Sequence, residues 1–142
     1  MGSGSDQNSA TLLQGYPYVV EQFYGQRVTQ IQSYLYERAL SPAEVESEID
    51  AGLPVELGIT PSGPFQGQAG HDVVLIGYSA TASEFDLVIN DPFPYDRVVG
   101  PSNNPYRNLG ADEPVEGQYI INYNYALQGG LQWSASMLVR PY

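Results

Sequence analysis

Two short apolar runs, separated by a polar break, lie between residues 70 and 92 and constrain the fold more than any other part of the chain. The runs are residues 73–76 and 87–89, and both are rich in β-branched side chains. Runs of this length and composition are typical of buried strands. The break, residues 79–84, is small and polar, as a hairpin loop should be. The sequence therefore predicts two adjacent antiparallel strands.

This hairpin brings His71, at the start of its first strand, to the same end of the sheet as Asp91, at the end of its second strand. The two residues are 20 positions apart, and His71 is the only histidine of the chain. An imidazole beside a carboxylate can act as a general base, because the carboxylate fixes its tautomer and stabilises the imidazolium. The structural alternative is that His71 caps a strand and Asp91 starts a turn with Pro92. The spacing alone does not decide between these interpretations.

The sequence Gly-His-x-Val-Val-x-x-Gly-Tyr at residues 70–78, followed by a strand that ends in Asp91-Pro92, resembles the C-terminal half of bacterial papain-like cysteine peptidases. The likeness extends to peptidases that process double-glycine leaders of bacteriocins. In such families an amphipathic helix and a Gly-x-Pro-Val strand precede the histidine, and residues 52–55 have that sequence here. The resemblance covers about residues 41–92 and implies a papain-like fold, with His71 as the general base and Asp91 as its orienter.

The chain departs from this family at the nucleophile, because none of its 142 residues is a cysteine. A thiolate is the reactive species in cysteine peptidases. Ser9 or Thr11 lies near the position that the resemblance assigns to the cysteine, and Gln7 near the glutamine that would help form the oxyanion hole. A hydroxyl in a site adapted to a thiol loses most of the activity, because its pKa is far higher. We therefore predict a peptidase-like domain that lacks the cysteine of its Cys/His/Asp triad and is inactive as it stands: an altered or truncated enzyme, or a natural pseudoenzyme that binds peptide.

Cap signals give the clearest helix of the chain. Residues 41–44, Ser-Pro-Ala-Glu, form a capping box with proline at the first helical position, and Gly52 suits the C-terminal end. The predicted helix spans about residues 42–51. Residues 26–38 fit a helix or a strand, because apolar residues recur at helical spacing while Tyr34 and Tyr36 alternate.

The fold class that these elements predict is α+β and papain-like, with N-terminal helices packed on an antiparallel sheet of about five strands. A long irregular loop is expected over residues 92–117, which are rich in proline. Residues 1–8 are predicted to be a disordered tail or cloning remnant, and residues 9–142 a single domain. The predicted strands are residues 54–59, 71–78, 84–90, 118–126 and 131–140.

Aromatic residues near the C-terminus suggest a second function. Residues 119–125 alternate as a strand with an aromatic face. The alternative to a peptidase-like domain is therefore a non-catalytic binding module with an aromatic platform for a glycan or a peptide. For Trp133 and Met137 burial in the core is favoured, because Leu131 and Val139 share their face. The candidate platform consists of Tyr119, Tyr123, Tyr125 and Trp133.

Charge argues against several classes of partner. Acidic residues number 16 against five basic ones, a formal net charge of −11, and all five basic residues are arginine. Nucleic acids and anionic membranes need a cationic face, so neither is expected as a partner. No apolar run approaches the roughly 20 residues of a membrane span. The expected partner is a peptide or protein, the expected state a monomer, and the expected location extracellular, as the tyrosine-rich, lysine-free composition suits a secreted bacterial domain.

No cofactor or metal is predicted. One histidine and no cysteine leave only carboxylates to complete a zinc site. Acidic residues after the hairpin could collect calcium, but their spacing matches no EF-hand loop, so a solvated surface is favoured. These residues are Asp96, Asp112, Glu113 and Glu116.

Overall fold

An antiparallel sheet with short helices makes the architecture α+β. The computed structural model describes residues 31–61 and 70–141. The helices are α1 (Pro42–Asp50), α2 (Tyr95–Val98), α3 (Pro105–Asn108) and α4 (Tyr123–Leu127), with a 3-10 turn at Pro101–Asn103. The strands are β1 (Ile31–Tyr36), β2 (Val55–Ile59), β3 (His71–Ala80), β4 (Phe85–Asn90), β5 (Asp112–Val115), β6 (Gln118–Asn122) and β7 (Ala135–Pro141). Within the described residues these seven strands form one sheet in the order β1-β7-β2-β3-β4-β6-β5.

The predicted hairpin is present as β3 and β4, and the apolar residues of β2 lie beside it. Leu75 faces Ile89 across the pair, and a bulge interrupts the register between Leu75 and Gly77. Alternate residues of these strands are buried on one face of the sheet, as the two-residue period of a strand requires. This face and the segments packed on it form the core. Its strand residues include Val55, Leu57, Ile59, Val73, Leu75, Leu87 and Ile89.

Helix α1 begins at the predicted capping box. The Ser41 hydroxyl accepts a hydrogen bond from the Glu44 backbone N–H at 3.3 Å, and the Ser41 backbone N–H donates to the Glu44 carboxylate at 2.8 Å. These reciprocal bonds satisfy two donors that a helix start leaves unpaired. Val45 attaches the helix to the core. Gly52 follows the helix with φ +77°, a left-handed conformation that glycine adopts without strain.

The prediction of about five strands is wrong, since the described residues form seven. The segment that fitted a helix or a strand contains β1, which pairs along β7 from Ile31 to Tyr36. Within residues 92–117, expected to be irregular, the structure has α2, the 3-10 turn, α3 and the four-residue β5. Elements this short are below the length at which hydrophobic periodicity becomes visible, and only pairing with β6 identifies β5.

Two strand boundaries near the C-terminus are also wrong. The strand predicted over residues 118–126 ends at Asn122, and α4 follows. The Asn122 side chain accepts a hydrogen bond from the Asn124 N–H, so it caps α4 and stops the strand, although the tyrosines continue to alternate. The strand predicted over residues 131–140 begins only at Ala135. Before it, Leu131 and Ser134 make isolated backbone hydrogen bonds, to the residue after β2 and to β2 itself. Gln132 between them has φ 48°, which is outside the range of a strand.

Trp133 and Met137 are buried, as predicted, but they do not share a face. Trp133 belongs to the core, where its indole N–H donates to the Ser136 hydroxyl at 2.9 Å. In β7, Leu138 belongs to the core, so the adjacent Met137 points to the opposite face of the sheet.

The face of the sheet opposite the core carries Glu56. The residue pairs with Met137 on one side and Val74 on the other. Burial, together with the nearby charge of Asp72, raises the pKa of Glu56 from 4.5 to about 7. A partly buried carboxyl that keeps its proton near neutrality makes folding depend on pH.

We expect the free energy of unfolding to fall as pH rises through 7. In the unfolded chain Glu56 ionises near pH 4.5, whereas in the folded protein it keeps its proton to about pH 7. Its contribution is therefore full below the unfolded pKa and lost as pH rises through the folded value. Urea denaturation at pH 5 and pH 8 should show a smaller loss of stability at pH 8 for Glu56→Gln than for the unmutated protein. Glu84→Gln, in the exposed β3–β4 loop, is the control, and an equal pH dependence in all three proteins would contradict the expectation.

Candidate active site

The two residues singled out in the sequence are in contact. His71 opens β3, Asp91 directly follows β4, and the pairing of Val74 with Asn90 makes them diagonal neighbours on the core face of the sheet. The His71 Nε2 atom lies 2.7 Å from Asp91 Oδ1, so the predicted hydrogen bond is present. The Asp91 side chain is fully buried, whereas 30% of the His71 side chain is exposed. Because Nε2 faces the carboxylate, Nδ1 is the ring atom that could accept a proton from a nucleophile.

The Asp91 carboxylate accepts hydrogen bonds on both of its oxygens. Besides His71, Oδ1 accepts the Phe93 backbone N–H at 3.0 Å. The other oxygen, Oδ2, accepts the hydroxyls of Tyr95 at 3.1 Å and Tyr106 at 3.0 Å. The bond from Phe93 closes the local turn that was predicted as the structural alternative, so Asp91 both starts a turn and binds His71.

Asn104 links Tyr106, one of the two tyrosines bonded to Asp91, with Tyr119. Its side-chain oxygen caps α3 by accepting from the Tyr106 N–H at 3.0 Å, and its amide donates to the Tyr119 hydroxyl at 3.2 Å. The rings of Tyr106 and Tyr119 stack with centroids 3.9 Å apart. Asn104 followed by Pro105 is a helix-start signal that could have predicted α3. Nothing in the sequence places Tyr106 against Asp91, because the contact spans 15 residues of irregular chain.

Gly117, in the β5–β6 turn, packs against the backbone of Asp91. The Asp91 backbone N–H donates to the Gly117 carbonyl at 2.8 Å. Gly117 has φ +81°, and a Cβ atom there would lie 3.0 Å from the Asp91 carbonyl oxygen. Only glycine permits both the conformation and the close approach.

Two cavities, of about 510 Å³ and 540 Å³, share Asp91, Pro92 and residues 115–117 in their walls. The smaller one also reaches Arg97 and Arg107, and His71 lines neither. A catalytic pair would also need the Nδ1 atom of His71 to face a groove, and that stays a prediction.

Three of the four acidic residues that could have bound calcium form ion pairs with arginines. Arg107 contacts Asp96 at 2.6 Å and Glu113 at 3.0 Å, and Arg97 contacts Glu116 at 2.5 Å. Within residues 31–61 and 70–141, no group of three or more histidine, cysteine or acidic side chains is placed to hold a metal ion.

The candidate aromatic platform is not a shared exposed surface. Tyr119 and Trp133 are core residues with 2% and 4% of their surface exposed. Tyr123 is half-buried, and its hydroxyl donates a hydrogen bond to the Leu40 carbonyl at 2.8 Å. Tyr125 is the exposed member of the four. The aromatic residues are mostly used in packing, and no feature of the described residues favours the platform.

The other predicted site residues, Gln7 and Ser9, and the alternative Thr11, lie outside the described residues, so their roles stay predictions. Among the helices that the structure describes, none has the length and apolar character needed to cross a membrane.

The environment of His71 favours its charged form. Burial lowers the pKa of the imidazole, but the hydrogen bond that His71 donates to Asp91, the negative charge of Asp91 and the charge of Asp72 together outweigh burial and raise the pKa above 6.5. Because His71 is the only histidine, one imidazole resonance reports its titration.

We expect NMR titration to give a His71 midpoint above 6.5, and Asp91→Asn to lower it, because the variant removes the negative charge that stabilises the imidazolium. Asp86→Asn, on the opposite face of β4, is the control and should leave the midpoint within about 0.2 units. An unchanged midpoint in Asp91→Asn would show that the pair is not coupled.

Comparison with known proteins identifies a family for this chain but no curated relative. No curated protein matches the chain. The profile of the Peptidase_C39 like family matches residues 1–126, a span that includes His71, Asp91 and the tyrosines around them. Since the match covers far more than half of the 142 residues, the chain belongs to the Peptidase_C39 like family.

Proposed function

We propose that this protein is a peptidase-like domain of papain-like architecture that holds a peptide beside His71 without cleaving it. One observation carries the proposal: an oriented, partly exposed imidazole is retained in a chain that has no cysteine. The hydrogen bond to Asp91 supports the base-and-orienter part of a triad. The missing thiol removes the nucleophile that would form the acyl intermediate of peptide hydrolysis.

The family relationship supports a peptide as the ligand. Exposure of part of the imidazole leaves it able to contact a bound molecule, while the fully buried Asp91 carboxylate can act only through His71. The resemblance to peptidases of double-glycine leaders makes a peptide with a Gly-Gly pair the natural first probe. An extracellular location remains a proposal that rests on composition alone.

The first test is peptide binding, read at His71. A synthetic peptide with a Gly-Gly pair in an extended segment should shift the His71 imidazole resonance saturably and remain intact by mass spectrometry over a day. The same peptide with Val-Val in place of Gly-Gly is the control and should bind more weakly, because glycine lets a backbone approach closely where a side chain would clash. No shift at millimolar peptide would overturn binding beside His71. Cleavage that depends on His71 would overturn the non-catalytic part of the proposal.

The second test restores a thiol. Since the chain contains no cysteine, Ser9→Cys creates the only thiol of the protein. If Ser9 occupies the nucleophile position, pairing with His71 lowers the thiol pKa, and iodoacetamide at pH 6 should alkylate it about tenfold faster than an ordinary thiol. Ser47→Cys, at an exposed position of α1, supplies the ordinary thiol.

The advantage of the Ser9 thiol should disappear in the double variant Ser9→Cys/His71→Ala. Equal alkylation rates in Ser9→Cys and this double variant would show that residue 9 does not face the imidazole.

A further inference from the structure

Oδ2 of Asp91, the oxygen that does not face His71, accepts hydrogen bonds from two buried phenols. Tyr95 and Tyr106 are 2% and 0% exposed, and both hydroxyls donate to Oδ2. Burial, reinforced by the charge of Asp91, raises the pKa of both tyrosines well above the usual value of 10. Each phenol therefore keeps its proton and stays a donor at any pH at which the protein functions.

Aromatic packing fixes both donors. Tyr106 lies flat against Tyr119, with 4° between the ring planes. Tyr95 makes edge contacts with Phe93 at 4.7 Å and with Tyr106 at 5.9 Å between centroids. The hydroxyls are consequently held in place by the core, and a carboxylate that is bonded on Oδ2 by two such groups is not free to rotate.

Hydrogen bonds to Oδ2 also reduce the negative charge that Oδ1 presents to the imidazole. Hydrogen bonds to one oxygen of a carboxylate stabilise its negative charge and draw it away from the other oxygen. A buried carboxylate without them would hold the imidazolium more tightly. With them, His71 remains oriented but can still lose its proton.

We propose that Tyr95 and Tyr106 are positioning residues that aim Asp91 at His71 and limit the negative charge presented to the imidazole. The inference rests on the proposed function, since an imidazole that changes protonation matters only if His71 meets a bound peptide. The inference adds to the proposed function the residues that control the protonation of His71.

The competing explanation is that the phenols only satisfy a buried carboxylate. Both explanations foresee a loss of stability when a hydroxyl is removed, so stability does not separate them. The protonation of His71 does, because only a phenol that shapes the charge on Asp91 changes the titration of the imidazole.

The experiment compares Tyr95→Phe and Tyr106→Phe with Tyr119→Phe. Tyr119 is buried in the same aromatic stack, and its hydroxyl bonds to Asn104 rather than to Asp91. NMR titration should show a His71 pKa raised by about half a unit in each of the first two variants, because Oδ1 regains charge. Tyr119→Phe should leave the midpoint within about 0.2 units while also lowering the melting temperature. An unchanged midpoint in Tyr95→Phe and Tyr106→Phe, or an equal shift in all three variants, would overturn the inference.

Peptide binding by the same variants separates this inference from the proposed function. A shifted His71 midpoint with no binding of the Gly-Gly peptide, even by the unmutated protein, would overturn the proposed function and leave the positioning role standing. Peptide binding with an unshifted His71 midpoint in Tyr95→Phe and Tyr106→Phe would overturn the positioning role and leave the proposed function standing.

Discussion

The complete burial of the Asp91 carboxylate is the constraint on which this structure depends. The Asp91 side chain has no exposed surface, and burial of an ionisable group is costly unless donors replace the lost water. Four donors do so here, one from the strand that begins at His71 and three from the segment after β4. The tyrosine donors require α2 and α3 to pack against the sheet, so satisfying one side chain organises about 15 residues of otherwise irregular chain.

This arrangement explains why structural and functional interpretations of Asp91 need not compete. Oδ1 accepts the turn-forming N–H of Phe93 and the imidazole of His71 at the same time. The turn holds the Asp91 carboxylate at the end of β4, within hydrogen-bond reach of His71 at the start of β3. The same hydrogen bonds that hold His71 beside Asp91 therefore also support the fold.

Periodicity and cap chemistry were sufficient for the parts of the fold that follow from local sequence. The capping box of α1 and the β3–β4 hairpin agree with the structure because their signals lie within a few residues of one another. The proximity of His71 and Asp91 followed from the hairpin, whereas their hydrogen bond is seen only in the structure. The strand predicted to continue past Asn122 was wrong because an N-cap outweighed the alternation of tyrosines, and both signals were present in the sequence.

The sequence by itself determined the absence of cysteine, the negative charge and the hairpin that brings His71 to Asp91, because these depend on composition or on neighbouring residues. Tertiary structure alone decided which oxygen of Asp91 meets His71 and which groups occupy the other. Those contacts join β3 and β4 to α2 and α3, and their partners are selected by packing around one buried carboxylate rather than by any local spacing. The same reason explains why β5 could not be foreseen, since four residues become a strand only when β6 lies beside them.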